Sequence, residues 1–360
     1  MIANKDSIKL TYELVPGAGG RRAGRPRVLI LRLSALGDVV LTTVFLRALR
    51  RRFPGARVDF LTKRLYAPLM AAQPTIDNVI AFDPRAGLAG LTATGRLLRS
   101  RRYELFFDLQ KNLRSRPWSL MARAGHIGRT VKYSLRRRLL TRLGIDLLSG
   151  KPDIPRNYVR AGERFGLVDD GGPPELVAPP PALDYVDELL AEVPRPRWGL
   201  IPLASSLNKR WMYYGELGRL LVERHGGSCL VIGGPGEEAD CAAVAAECDG
   251  ANLAGRLSIV QTTALLARCD AAFGNDTGPM FIATAVGTPT VAFFGPTARQ
   301  IGCYPRGRHV RVLDRDLPCR PCTRNGLDYC PRGLDTACLR DIPPAEALAA
   351  LENLLAQRKD

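Results

Sequence analysis

The run Val28-Leu29-Ile30-Leu31 is apolar without interruption and is broken by Ser34-Ala35-Leu36-Gly37-Asp38. A strand that alternates apolar and polar residues can face water on one side. An unbroken apolar run has to be buried on both faces, which is the position of a central strand in a parallel sheet. Val39 to Phe53 then carries a helical pattern that ends before Pro54-Gly55, and Ala56 to Leu61 supplies the next strand. Strand, tight loop, helix and strand open an α/β sheet. Val79–Phe82 and Leu105–Leu109 continue it, with a helical pattern around 87–101 between them and a basic helix predicted over 132–143.

The same alternation starts again at Gly199-Leu200-Ile201-Pro202-Leu203. Helices over 213–224, 237–248 and 258–268 alternate with strands at 229–232, 271–273 and 290–294. Between the two series lie Pro173, Pro174, Pro179, Pro180, Pro181, Pro194 and Pro196, which interrupt regular structure. A chain of 360 residues is also long for one core. The expected division is a poorly ordered leader over 1–26, an N-terminal α/β domain over 27–175 and a proline-rich linker over 176–197. A C-terminal α/β domain over 198–342 follows. The closing helix, in 343–360, is expected to pack back on the N-terminal domain. In sheets of this kind ligands bind beyond the C-terminal ends of the strands, here in a cleft between two Rossmann-like halves.

Charge separates the halves. Residues 1–180 hold 33 Lys and Arg against 14 Asp and Glu, and the remainder holds 19 against 21, so the net charge of +17 resides in the N-terminal half. Such a field attracts nucleic acid, an anionic membrane surface or a phosphorylated substrate. The arginines at 99, 101, 102 and 129–142 keep a non-catalytic nucleic-acid or anionic-polymer binding protein open as an alternative. Against it, aromatic residues are not interleaved with them as single-strand binding requires. No Gly-x-Gly-x-x-Gly opens a sheet unit, which disfavours a dinucleotide-dependent enzyme. No apolar run approaches the ~20 residues that cross a bilayer, and the polar start lacks a secretory segment. A cytoplasmic protein is expected.

Three segments carry a resemblance: Arg32-Leu33-Ser34-Ala35-Leu36-Gly37-Asp38-Val39-Val40-Leu41-Thr42-Thr43; Asn208-Lys209-Arg210-Trp211; and Gly274-Asn275-Asp276-Thr277-Gly278-Pro279-Met280, followed by Gly287-Thr288-Pro289 and Phe294-Gly295-Pro296-Thr297. In order and spacing they resemble glycosyltransferase family 9, the lipopolysaccharide heptosyltransferases and their relatives, over about residues 27–356. The resemblance implies the GT-B fold, two Rossmann-like α/β domains facing each other across a cleft. It also implies an inverting transfer that needs no metal or other cofactor, with a nucleotide diphosphate sugar as donor, ADP-heptose being the family's best-known one. The implied acceptor is an anionic lipid-linked glycan met at the cytoplasmic face of an anionic membrane, by peripheral contact; no nucleic acid is expected.

On the residues alone, Asp38 either caps the helix it opens or stands free in the site; the resemblance makes it the general base that deprotonates the acceptor hydroxyl. Gly37 beside it would admit a left-handed turn or a close ligand. Lys209, and after it Arg210, would bind the diphosphate and offset the charge on it as it leaves. Asn275, Asp276, Thr277, Gly278 and Pro279 lie between a strand and a helix whose N-terminal amides suit phosphate oxygens, and the resemblance assigns the aspartate to the donor. Where the family pattern usually has histidine after Gly-Pro-Met, this chain has Phe281, so the diphosphate must rely on Lys209, Thr277 and the helix amides. Glu237, after the turn Gly233-Gly234-Pro235-Gly236, would accept from ribose hydroxyls or cap its own helix. Trp211 is read as packing. Arg114, Arg129, Lys132, Arg136, Arg137 and Arg138 are the acceptor-side candidates.

Cys319, Cys322, Cys330 and Cys338 form C-x2-C-x7-C-x7-C in a segment rich in Pro, Gly and Arg. Four thiols at these intervals can hold a structural zinc ion or an iron–sulfur cluster; two disulfides and four free thiols are the other readings. The segment is expected to be a clasp outside the chemistry.

Overall fold

The computed structural model describes residues 12–16, 26–113, 115–148 and 152–357. The chain forms two compact units, residues 1–132 with 155–170 and residues 133–154 with 171–360. The division differs from the expected one. Segment 133–154 groups with the second unit, where Ile154 N–H bonds the Gly302 carbonyl at 3.0 Å and Arg306 pairs with Asp153 at 2.7 Å.

The first unit is a six-stranded sheet of β1 (Tyr12–Pro16), β2 (Arg27–Leu31), β3 (Arg57–Lys63), β4 (Asn78–Phe82), β5 (Leu105–Asp108) and β6 (His126–Arg129). Its order is β1-β4-β3-β2-β5-β6. All neighbours are parallel except β1, which runs antiparallel to β4 on the edge. The leader therefore contributes a strand, contrary to expectation. Tyr-Glu-Leu-Val carries the β-propensity for one, and the neighbouring glycines obscure it. Leu29, Leu31, Leu61, Ile80, Phe106 and Trp118 pack one core. Asp59 is buried beneath it and accepts from Tyr103 Oη (2.7 Å), Asn78 Nδ2 (2.8 Å) and the Arg101 guanidinium, which satisfies a charge that would otherwise be costly to bury.

The second unit is a parallel sheet of β7 (Arg197–Ile201), β8 (Ser228–Val231), β9 (Ala251–Asn252), β10 (Ala271–Asn275), β11 (Thr290–Phe294) and β12 (Val310–Asp314), in the order β12-β11-β10-β7-β8-β9. Read by appearance along the chain this is 3-2-1-4-5-6, and the parallel part of the first sheet is 3-2-1-4-5. Each sheet thus has one switch point, between β2 and β5 in the first and between β7 and β10 in the second. There the connections leave toward opposite sides and the strand ends open a crevice for ligands.

Trp211 is buried as expected: it stacks on Phe293 at 4.0 Å and 10°, and its indole N–H bonds the Ile342 carbonyl at 2.9 Å. The closing helix Pro344–Ala356 groups with the second unit. Ala347, Ala350, Leu351 and Leu354 join the second unit's own core, with Leu217 and Leu221 of helix Tyr214–His225 among its members. Its apolar stripe is consumed there. Leu351→Ala should therefore cost about 2–5 kcal/mol, read as a lower denaturation midpoint of the second unit. An unchanged midpoint would show that the helix is not part of that core.

Candidate functional site

At the first switch point, β2 runs into Arg32 and the loop that opens helix Leu36–Arg52. Ala35 at the helix N-cap has no side-chain oxygen, so Asp38, in the first turn, reaches back to the Ala35 N–H (3.3 Å). That is the capping role. Asp38 also accepts from Tyr158 Oη on Oδ1 (2.8 Å) and pairs through Oδ2 with Arg32. A carboxylate offers about four lone-pair sites, and the Asp38 side chain keeps 29 % exposure. It is thus oriented from three sides and still open to a further donor. Gly37 is an ordinary helical residue, not the left-handed turn its position suggested.

Arg32 is itself anchored. Its Nη1 bonds the Leu109 carbonyl at 2.6 Å, and the guanidinium lies 5.4 Å from the Tyr158 ring centre. Burial works against its charge, yet Tyr158 and Asp38 hold its pKa above the ordinary value. Gln110 Oε1 takes the N–H groups of Leu33 and Ser34 (3.0 and 3.3 Å), joining the loops after β2 and β5. Asp108 builds the second loop by accepting from Gln110 N, Lys111 N and Ser115 Oγ. Sequence reading missed Gln110 and Tyr158. The first follows an apolar strand and has a weak signal; the second stands 120 positions from Asp38 and has none.

At the second switch point, β7 and β10 deliver Lys209 and Asp276. Lys209 Nζ lies 2.7 Å from Asp276 Oδ2, with the side chains 11 % and 10 % exposed, and Thr297 Oγ1 donates to the same oxygen at 2.9 Å. An aspartate beside a diphosphate site looks contradictory. Here it orients a lysine, which has three N–H donors and uses one of them on Asp276. Thr277, Gly278 and Pro279 begin helix Gly278–Ala285, partly exposed at its N-terminus, while Phe281 is buried on it.

Other donor-side expectations land differently. Asn275 is fully buried, its Oδ1 taking the Trp211 N–H (2.9 Å) and its Nδ2 bonding the Pro202 carbonyl (2.8 Å), so it ties the end of β10 to the connection after β7 and has no surface open to a ligand. Arg210 donates to the Ala204 carbonyl and to Asp240, both at 3.1 Å. Glu237 takes the Gly234 N–H at 2.6 Å, and Glu238 that of Gly236, whose φ of +86° needs glycine. Both glutamates shape the turn, and Glu237, although at the N-cap, makes no side-chain capping bond to its helix.

The basic candidates divide between the units. Arg129 and Lys132 belong to the first, and Arg129 donates to Ser119 Oγ at 3.1 Å. Helix Ser134–Leu143 belongs to the second; Arg136 and Arg138 are exposed on it, whereas Arg137 is buried on the inner face with Leu140. Helical periodicity turns the middle member of an arginine triplet away from its neighbours. Arg114 lies outside the described residues.

All nine cysteines are free thiols, and among the described residues no group of three or more His, Cys, Asp or Glu is placed to hold a metal ion. The four thiols of 319–338 nonetheless lie within electrostatic reach of one another, Cys319 and Cys330 adding to the burial that raises Cys322 and Cys338. Cys338 is buried beside Leu339 in the core, and burial pushes its thiol up to about 11. Polar bonds through Arg320 and Asn208 also hold the segment.

Among the described residues no helix is long and apolar enough to cross a membrane. Residues 91–329 match glycosyltransferase family 9 (heptosyltransferase). Lipopolysaccharide heptosyltransferase 1 of Pseudomonas aeruginosa is 28% identical over 325 residues, covering 85% of this chain and 88% of its own. A family 9 glycosyltransferase from Veillonella parvula has the same fold with a TM-score of 0.75 and 20% identity, covering 92% of this chain and 98% of that one. E. coli ADP-heptose heptosyltransferase II has a TM-score of 0.72 and 22% identity over 93% of this chain and all of its own. Two Rossmann-like units with these strand orders, the switch-point residues and a match over most of the length agree: the chain has the GT-B fold and belongs to glycosyltransferase family 9.

Proposed function

We propose that the chain transfers heptose from ADP-heptose to a lipopolysaccharide core or a related anionic glycan, with inversion at the anomeric carbon. The observation that carries this reading is the placement of one oriented carboxylate at the first switch point and one oriented cation at the second. Asp38 takes the proton of the acceptor hydroxyl, whose oxygen bonds to the anomeric carbon. The bond from that carbon to the diphosphate oxygen breaks, and its electron pair leaves with ADP. Lys209, held by Asp276, and the amides of Thr277 and Gly278 offset the charge gathered on the diphosphate. With Phe281 in place of the usual histidine, Lys209 bears a larger share of that charge. Asp38→Asn keeps the shape of the carboxylate and removes its basicity. Transfer from ADP-heptose should fall about 10²- to 10⁴-fold, with ADP affinity unchanged; near-normal turnover would exclude Asp38 as the base.

The acceptor is read as membrane-borne, and the protein as a peripheral one at the cytoplasmic face. Helix Ser134–Leu143 and the residues after it expose Leu135, Leu143, Ile145 and Leu147 beside Arg136, Arg138 and Arg142. Exposed apolar groups flanked by arginine suit the headgroup boundary of an anionic bilayer, each basic residue contributing about 1 kcal/mol. Replacing Leu135 by Ser and Arg136 and Arg138 by Glu should release the protein from phosphatidylglycerol vesicles in a co-sedimentation assay. Undiminished binding would place the membrane contact elsewhere.

A further inference from the structure

The cysteine-rich segment is expected to stand outside the chemistry, yet its polar bonds run to the loop that carries Lys209 and to the loop whose Thr297 donates to Asp276. At one end Arg320, whose side chain is 5 % exposed, spends its guanidinium on the loop after β11. Its Nη2 donates to the carbonyls of Phe294 (2.8 Å) and Thr297 (3.2 Å), its Nε to that of Gly295, and its Nη1 to Asp314 (3.2 Å) and the Arg315 carbonyl. The Cys322 N–H bonds the Pro296 carbonyl at 3.1 Å. Thr297, so fixed, is the residue that donates to Asp276.

At the other end Asn208 is 3 % exposed and pairs with the segment as a strand would. Its N–H bonds the Leu327 carbonyl (3.1 Å), its Oδ1 takes the Leu327 N–H (2.9 Å), and its Nδ2 bonds the Tyr329 carbonyl (3.1 Å). Gly326 adopts φ +99°, and a Cβ there would come within 2.8 Å of Lys209 Cδ. The segment thus lies directly against the stem of Lys209. Since β11, β10 and β7 are neighbours in the sheet, one return of chain binds the loops after β11 and β7, and these two hold Asp276 in the loop between them through Thr297 and Lys209.

We propose that Arg320 and Asn208 are positioning residues: they fix Thr297 and the Lys209 stem, and through them the direction in which the Lys209 ammonium points. The inference rests on the reading of Lys209 as the diphosphate cation. Its geometric part can be measured without any donor.

The full chain would carry Arg320→Lys, which keeps the charge and loses the planar fork, or Asn208→Ala. The first readout is the rate at which an amine-acylating reagent modifies Lys209, followed by mass spectrometry in the absence of nucleotide. The second is kcat and the two KM values for transfer. The expected result is a several-fold faster modification of Lys209 and a fall in kcat of about 10- to 100-fold, with the acceptor KM unchanged. Folded variants with wild-type Lys209 reactivity and kcat would overturn the proposal. So would loss of the fold in both variants, which would mark the residues as purely structural. If the wild-type protein transfers no heptose, the functional reading fails while the Lys209 reactivity still decides the positioning.

Discussion

The Lys209–Asp276 ion pair is the contact on which the second unit's site depends, and it follows from sheet topology. Strands β7 and β10 are neighbours, but their onward connections go to opposite sides, so the backbone leaves a gap beyond their ends. Two loops that separate there need a side-chain bond between them. Lys209 comes from one and Asp276 from the other, nearly buried and 2.7 Å apart. Removing either partner would leave the other charged in a poorly hydrated place, which is much more costly than the pair itself is stabilising. Asn275, one residue earlier, supplies the neutral part of the same suture by binding the backbone of Trp211 and Pro202.

The first unit meets the same constraint with different groups. Beyond β2 and β5 the loops are joined by Arg32 on the Leu109 carbonyl and by Gln110 on the amides of Leu33 and Ser34. Asp38 leans on this suture through Arg32 and is steadied by Tyr158. Helix capping and catalytic placement, which look like competing uses of one carboxylate, coexist because each oxygen has more than one lone pair. The 3.3 Å contact to Ala35 is the longest of the contacts that Asp38 makes, so most of its orientation comes from side chains.

Much of the fold was legible because buried parallel strands write themselves as continuous apolar runs. Val28–Leu31, Leu105–Leu109 and Thr290–Phe294 are examples that the structure places in its sheets. Edge strands were not legible. In β12 only Leu313 is buried, and β6 has only Gly128 buried, so neither shows an apolar run. Asp38, Lys209 and Asp276 were identifiable through the resemblance of the segments that carry them, since on the residues alone a charge past a strand end can equally cap a helix or face solvent. Their partners were not. Tyr158 reaches Asp38 through folding alone and carries no pattern, and the segment that ends in Thr297 gives no sign that its hydroxyl faces Asp276. Arg137 and Asn275 show the opposite error, polar residues that look available in sequence and are consumed inside the protein. The spacing of the cysteines points to a metal clasp but says nothing of the polar bonds on the same segment, made by an arginine between two of them and an asparagine more than a hundred positions away.

The central claim is that a cation fixed at the second switch point receives the donor's diphosphate. Isothermal titration of ADP into the wild-type protein and into Lys209→Met, which keeps the length of the side chain and removes its charge, tests it most directly. The account predicts saturable binding to the wild type and affinity at least about tenfold weaker in the variant, the loss of one charge-assisted contact. Equal affinity in the two proteins, with the variant folded, would contradict it.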